Sequence, residues 1–191
     1  MICEDGHRRC FWCASDPIYM KYHDTEWGRP EHDDFKIFEK LCLEGFQAGL
    51  SWITILRKRE SFRRAFKGFD PHKMVRFNSR DIDRLMNDTG IVRNRQKIEA
   101  AINNARVMVD LLDNGVSLSE IVWSHAPRKA PKVPAKVGDH VATTTESVVL
   151  SKDLISRGFR FVGPTTMYAA MQSLGLVNDH FRTCDFRSLD T

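Results

Sequence analysis

The sequence predicts an all-α fold in one globular helical domain, and three observations carry that prediction. Apolar side chains return at three- and four-residue intervals through most of the longer segments. Strand patterns are nearly absent: Phe159-Arg160-Phe161-Val162 is extended but too short to make a sheet alone. The chain has 191 residues, 42% of them hydrophobic, with no internal repeat or linker, so one domain over 1–191 is expected.

Residues 1–9 are expected to fray. Asp33 or Asp34 can cap the first clear helix, in which Phe35, Ile37, Phe38, Leu41 and Cys42 follow helical spacing and Gly45 marks the end. Ser51 can cap a second, carrying Ile55, Leu56 and Phe62. Ser79, with Asp81 and Asp83 in the first turn, opens a short helix through Ile82, Leu85 and Met86. From about Asn94 to Leu112 one apolar stripe contains Ile98, Ala101, Ile102, Ala105, Met108, Val109 and Leu112, while Arg95, Lys97, Glu99 and Asp110 face elsewhere. Gly115 supplies its stop. Pro127, Pro131 and Pro134 among Arg128, Lys129, Lys132 and Lys136 exclude a core helix or central strand, so 124–142 is expected to be an exposed loop. Helices resume at about Glu146 to Arg157 and Pro164 to Leu174, followed by Gly158 and Gly175.

Charge narrows the function classes. The net charge is +4, yet between Arg57 and Arg106 there are 14 Lys/Arg against 6 Asp/Glu, so a polyanion could dock on the middle of the chain. The first residues show neither the basic stretch nor the apolar segment of a secretory signal, and no run of eighteen apolar residues occurs. A cytoplasmic protein without membrane contact is expected. Five cysteines, an odd number, favour reduced thiols or metal ligands over a disulfide framework. Cys3 reads as an exposed thiol and Cys42 as a small core residue.

Between the Ile82 and Ile98 helices lies Asp88-Thr89-Gly90-Ile91-Val92-Arg93-Asn94, a tight connection in which Gly90 can take a positive φ. Backbone N–H groups opening the next helix form an anion site, with Thr89, Arg93, Arg95 and Lys97 around it. The arrangement resembles the helix-hairpin-helix by which base-excision glycosylases grip a DNA backbone. Most members of that superfamily place a catalytic Asp after the hairpin. Asp110 and Asp113 are the nearest here, on an ordinary amphipathic helix, and neither is assigned that role.

Two segments and the Cys10-Phe11-Trp12 tripeptide concentrate residues suited to holding a purine, because tyrosine and tryptophan join a flat apolar face to a polar edge. The first contains Tyr19, Tyr22 and Trp27, the second Glu44 and Trp52. Glu44 sits near a helix C-terminus, where a carboxylate meets the unfavourable end of the dipole. The strings Tyr22-His23-Asp24-x-Glu26-Trp27-Gly28, Leu43-Glu44-Gly45-x-Gln47-Ala48-Gly49-Leu50-Ser51-Trp52-Ile53-Thr54 and Gly175-Leu176-Val177-Asn178-Asp179-His180 resemble those of the DNA-3-methyladenine glycosylase I family, over about Cys10 to Cys184. The resemblance implies that Glu44 contacts the exocyclic amine of the excised base and is the catalytic selector. It makes Trp12, Tyr19, Tyr22, Trp27 and Trp52 the pocket walls, and assigns Gln47, Gly49 and Leu50 to DNA, with Leu50 placed to fill the gap in the duplex.

Cys10, His23, His180 and Cys184 supply two thiolates and two imidazoles, a set that suits tetrahedral zinc, and the resembling family uses the matching four. Four protein ligands leave no open position, so one structural zinc ion joining the two chain ends is implied. Spacing alone proposes Cys10-x-x-Cys13 instead, so Cys13 competes with His23. The implied partner is double-stranded DNA containing alkylated bases, with the protein acting as a monomer.

Overall fold

The computed structural model describes residues 2–13 and 16–188; Met1 lies outside them. The elements are α1 (Pro17–Thr25), α2 (Asp34–Gln47), α3 (Trp52–Ala65), α4 (Pro71–Met74), α5 (Ser79–Asn87), α6 (Arg95–Asp113), α7 (Leu118–Ser124), α8 (Thr145–Ser156) and α9 (Pro164–Ser173). Among the described residues there is no strand beyond an isolated bridge between Ile2 and Arg8, and no helix long and apolar enough to cross a membrane.

Centrality of α2 follows from its sequence. Ile37, Phe38 and the whole stretch Leu41 to Phe46 are buried, so the helix is covered nearly all round, and α9, α3, α6 and α7 pack against it. Asp33 is the N-cap, its Oδ1 accepting from the backbone N–H of Phe35 and Lys36 at 2.9 Å each. Gly45 does not end the helix, which continues to Gln47. A Cβ there would fall 3.2 Å from Phe161 Cβ, so the glycine answers a close approach, at a cost of about 1 kcal/mol in helix propensity. Phe46, Phe62, Phe66, Phe69 and Phe77 form an aromatic core beneath it, with neighbouring ring centroids 4.6 to 6.4 Å apart.

Other expectations shift by small amounts for local reasons. The N-cap of α5 is Asn78 and not Ser79, because Asn78 and Asp81 close a reciprocal capping box. Asn94 caps α6 by accepting from Lys97 N–H at 3.1 Å. Helices α1, α4 and α7, absent from the pattern reading, have the short lengths that periodicity resolves poorly. Residues 2–9, expected to fray, make several contacts with the rest of the chain. Arg9 is buried and donates to both Asp5 and Asp24, and the Arg8 N–H donates to Asp185 at 2.7 Å, which ties the segment to residues near the far end of the chain.

Candidate functional site

A cavity of about 380 Å³ opens between α1, α2, the start of α3, α9 and the 125–144 segment. Its walls include Trp12, Tyr19, Tyr22, Trp27 and Trp52, all five aromatics singled out from the sequence. The rings brace one another: Trp12 lies 4.8 Å from Tyr19 and 4.9 Å from Trp27, and Tyr22 lies 5.5 Å from Trp52, centroid to centroid. The sequence packs them this way because α1 carries Tyr19 and Tyr22 three residues apart, on one face, and α1 lies against α3, where Trp52 opens the first turn.

Glu44 borders the same cavity and is 3% exposed. Burial pushes its carboxyl up to about 7, opposed by the Lys40 ammonium one turn earlier and by a 3.5 Å hydrogen bond from Ser173 Oγ. At neutral pH the group is therefore poised between carboxyl and carboxylate, with few partners of its own. Gln47 also lines the cavity, its Nε2 donating to the Leu50 carbonyl at 2.6 Å. That bond shapes the turn after α2, in which Gly49 adopts φ 81° and Leu50 stands 40% exposed.

Several wall residues had escaped the sequence reading. Ala169 and Gln172 reach the cavity from α9, with Phe11 at the mouth. Asp179, buried at the end of the third motif string, accepts from Tyr168 Oη at 2.6 Å and from Gln172 Nε2 at 2.8 Å, which fixes the Gln172 side chain. The 125–144 segment is irregular apart from one turn at Val137–Asp139, yet it is not merely exposed: Pro134 is buried, and Val137, His140 and Val141 line the cavity. The spacing of Ala169 and Gln172, a small and a polar residue three apart on an apolar helix, was a readable signal. The loop residues offered none.

Cys10, His23, His180 and Cys184 converge, all buried, with their ligand atoms within 4.8 Å of one another. Neighbouring donors are separated by 3.1 Å (His180 Nδ1 to His23 Nε2), 3.4 Å (Cys184 Sγ to His180 Nδ1), 3.5 Å (Cys184 Sγ to His23 Nε2) and 3.7 Å (Cys10 Sγ to His180 Nδ1). A tetrahedron with zinc–nitrogen and zinc–sulfur bonds of about 2.0 and 2.3 Å has edges of roughly 3.3 Å (N–N), 3.5 Å (N–S) and 3.8 Å (S–S), within about 0.2 Å of these separations, so the donor set fits. The outer partners fix the ring orientations. His23 Nδ1 donates to Asp24 Oδ1 at 2.7 Å, leaving Nε2 inward, and His180 Nε2 donates to the Trp27 carbonyl at 3.2 Å, leaving Nδ1 inward. Arg9 in turn holds Asp24. Cys13 is buried outside the four-donor group, its thiol donating to the Cys10 carbonyl at 3.1 Å. Cys42 lies in the core and Cys3 is half-buried.

The helix pair α5 and α6 forms a hairpin, with differences in its chemistry. Gly90 keeps φ outside the left-handed region; what requires glycine is space, since a Cβ would lie 2.9 Å from Asp88 Oδ1 and 3.0 Å from Ser61 Cβ on α3. The exposed Thr89 offers its carbonyl to Lys58 at 2.9 Å, tying the hairpin to α3. Arg93 is exposed, and Arg95 pairs with Asp83 at 3.1 Å and Glu99 at 3.6 Å. Lys97, expected to face phosphate, turns inward. It is 9% exposed and donates to the carbonyls of Phe46 and Ala48, satisfying acceptors that the end of α2 leaves without intrahelical donors. The basic excess of the middle segment is likewise reduced by ion pairs to residues outside it: Arg57 with Asp16, Arg59 with Glu26, Arg63 with Glu39.

Comparison with known proteins agrees with this geometry. DNA-3-methyladenine glycosylase 1 of Escherichia coli (strain K12) is 48% identical over 177 residues, covering 92% of this chain and 95% of that one. The DNA-3-methyladenine glycosylase of Haemophilus influenzae (strain ATCC 51907 / DSM 11121 / KW20 / Rd) is 49% identical over 177 residues, with 92% and 96% covered. A crystal structure of 3-methyladenine DNA glycosylase I superimposes with a TM-score of 0.90 at 46% identity, over 93% of this chain and 98% of the other. The Staphylococcus aureus enzyme, solved to explain its recognition of 3-methyladenine, gives 0.89 at 35% identity over 96% and 98%. With the methyladenine glycosylase family matching residues 12–188, from the first wall tryptophan to beyond the last cysteine, the chain belongs to that family.

Proposed function

We propose that this glycosylase hydrolyses the N-glycosidic bond of 3-methyladenine in alkylated double-stranded DNA, as a monomer, after flipping the base into the aromatic cavity with Glu44 as selector. The observation that carries the reading is a nearly buried carboxylate bordering a cavity walled by tryptophan and tyrosine. A cavity of about 380 Å³ is at the lower end of small-molecule sites, which suits one base.

Methylation at N3 places a positive charge on adenine, so bond cleavage releases a neutral base and needs no proton from the enzyme. What remains is extraction and choice. Unstacking costs a few kcal/mol. Stacking on the rings returns roughly 1–3 kcal/mol for any base. Cation-π attraction adds roughly 0.5–2 kcal/mol for the charged lesion alone. Glu44 accepts a hydrogen bond from the adenine amino group, attracts the charged ring, and repels a base that presents a carbonyl there. Leu50, exposed on the turn after α2, fills the vacated stack, and the α5–α6 hairpin with Arg93 meets the backbone.

Cys10, His23, His180 and Cys184 would hold one zinc ion, whose chemistry is structural: it cross-links two distant stretches of chain. Released bases are the test. Methylated DNA is incubated with the protein and the freed bases are separated by chromatography. Release of 3-methyladenine is expected, with Glu44→Gln slowing it while DNA binding persists. Wild-type release by that variant contradicts the selector role, and no release by the wild type contradicts the activity.

A further inference from the structure

Behind the aromatic wall lies a second cavity, of about 190 Å³, bordered by Lys40 and Ser173 together with Glu26, Glu39 and Arg59. Lys40 and Glu44 are one turn apart on α2, and Glu44 borders the first cavity. Lys40 Nζ lies 4.8 Å from the centroid of the Tyr22 ring and 4.8 Å from that of Trp52, and it donates to Tyr22 Oη at 3.2 Å. One ammonium thus touches two walls of the base site from outside.

A partly buried ammonium is held in place by the opposite charge that faces it. Lys40 is faced by Glu44 and Glu39 of its own helix, by Glu26 past the end of α1, and by Arg59 of α3, which is itself paired with Glu26. Glu44 is faced by Lys40, by Tyr19 and Tyr22 of α1 and by Ser173 of α9, and His140 of the 125–144 segment borders the same cavity. Of the groups that face Glu44, Lys40 is the cation that opposes the effect of burial. We infer that Lys40 is a positioning residue for base excision: from the second cavity it holds the Tyr22 and Trp52 rings and supplies the counter-charge against which Glu44 works. The inference rests on the reading of Glu44 as the carboxylate that holds the base.

Burial already raises the Glu44 carboxyl and Lys40 opposes that rise, so deleting the ammonium moves it higher still and leaves it protonated over more of the neutral range. The experiment is single-turnover excision of 3-methyladenine from duplex DNA, followed from about pH 5.5 to 9, with wild type, K40M, K40R and E44Q. K40M is expected to move the rising limb up by about one pH unit. On the acid side of both limbs it should excise about tenfold more slowly than wild type. K40R should restore the wild-type limb, and K40Q, a second neutral variant, guards against a folding defect confined to K40M. Equal slowing at every pH, with the limb unmoved, means a merely structural lysine and overturns the inference. A rising limb that survives in E44Q refutes the Glu44 reading itself; a flat E44Q profile beside an unmoved K40M limb refutes only the role of Lys40.

Discussion

Glu44→Gln should make the protein more stable at alkaline pH relative to wild type, in the same substitution that weakens its chemistry. The carboxyl titrates at about 7 in the fold, against 4.5 as its ordinary value, because burial disfavours the ionised form. A folded pKa raised above the unfolded one means that the folded state binds more protons, so stability is fully present below pH 4.5 and is lost as pH rises towards 7. Between about pH 5 and 8 that loss is about 2–3 kcal/mol in order of magnitude. The glutamine escapes it. Its amide pays a desolvation cost of about 1–3 kcal/mol, but that cost does not change with pH, so the difference between the two proteins isolates the titration. Denaturant or thermal unfolding of both at the two pH values reads it directly. In melting temperature the gap should widen by about 5–10 °C in favour of the variant from the lower pH to the higher. Parallel pH dependences for the two proteins would falsify the argument that burial controls this carboxylate.

The hairpin predicts a contrast between two basic residues. Arg93→Ala should weaken DNA binding on any sequence and reduce the slope of log affinity against log salt by about 1, with melting unchanged. Lys97→Met should leave the slope alone and destabilise the fold by about 1–3 kcal/mol, since two carbonyls of α2 lose their donor. A reduced slope in the Lys97 variant would return that residue to the DNA surface. For the metal centre, elemental analysis should find one zinc per chain, absent in Cys184→Ala. Linking Cys10 to His180 closes a loop 170 residues apart in sequence, worth about 5 kcal/mol by loop entropy, or about 10–20 °C in melting temperature. A metal-free protein that melts with the wild type contradicts this.

What was legible in the chain was what depends on short-range pattern. The stripe of α6, buried from Ile98 to Leu111 without Val109 and Leu112, the cap at Asp33, one of the two candidates, and the proline opening α9 are local physics. The grouping of the aromatic set with Glu44 around one cavity was legible because tryptophan, tyrosine and a glutamate among apolar neighbours concentrate in short stretches of the chain. Lys97 was misread because its helical position says which way it leaves α6 but not that the end of α2 waits there with unpaired carbonyls. Gly90 was misread because two different needs, a turn and a close approach, select the same residue. Val137, His140 and Val141 were invisible because a proline-broken segment has no period, and where it lies is decided by contacts such as Pro134 O with Arg182 N–H at 2.9 Å.

The aromatic cavity and the four-donor cluster share walls. Trp27 lies 4.6 Å from His180 and Trp12 lies 5.2 Å from His23, centroid to centroid, so rings that line the cavity lean on the imidazoles of the cluster. On the ribosome this imposes an order. Trp12, Tyr19, Tyr22, Trp27 and Glu44 are all made early, yet the imidazole against which Trp27 packs is position 180 and the second thiolate is position 184. A nascent chain can therefore carry the α5–α6 hairpin before the cavity wall has the imidazole it leans on.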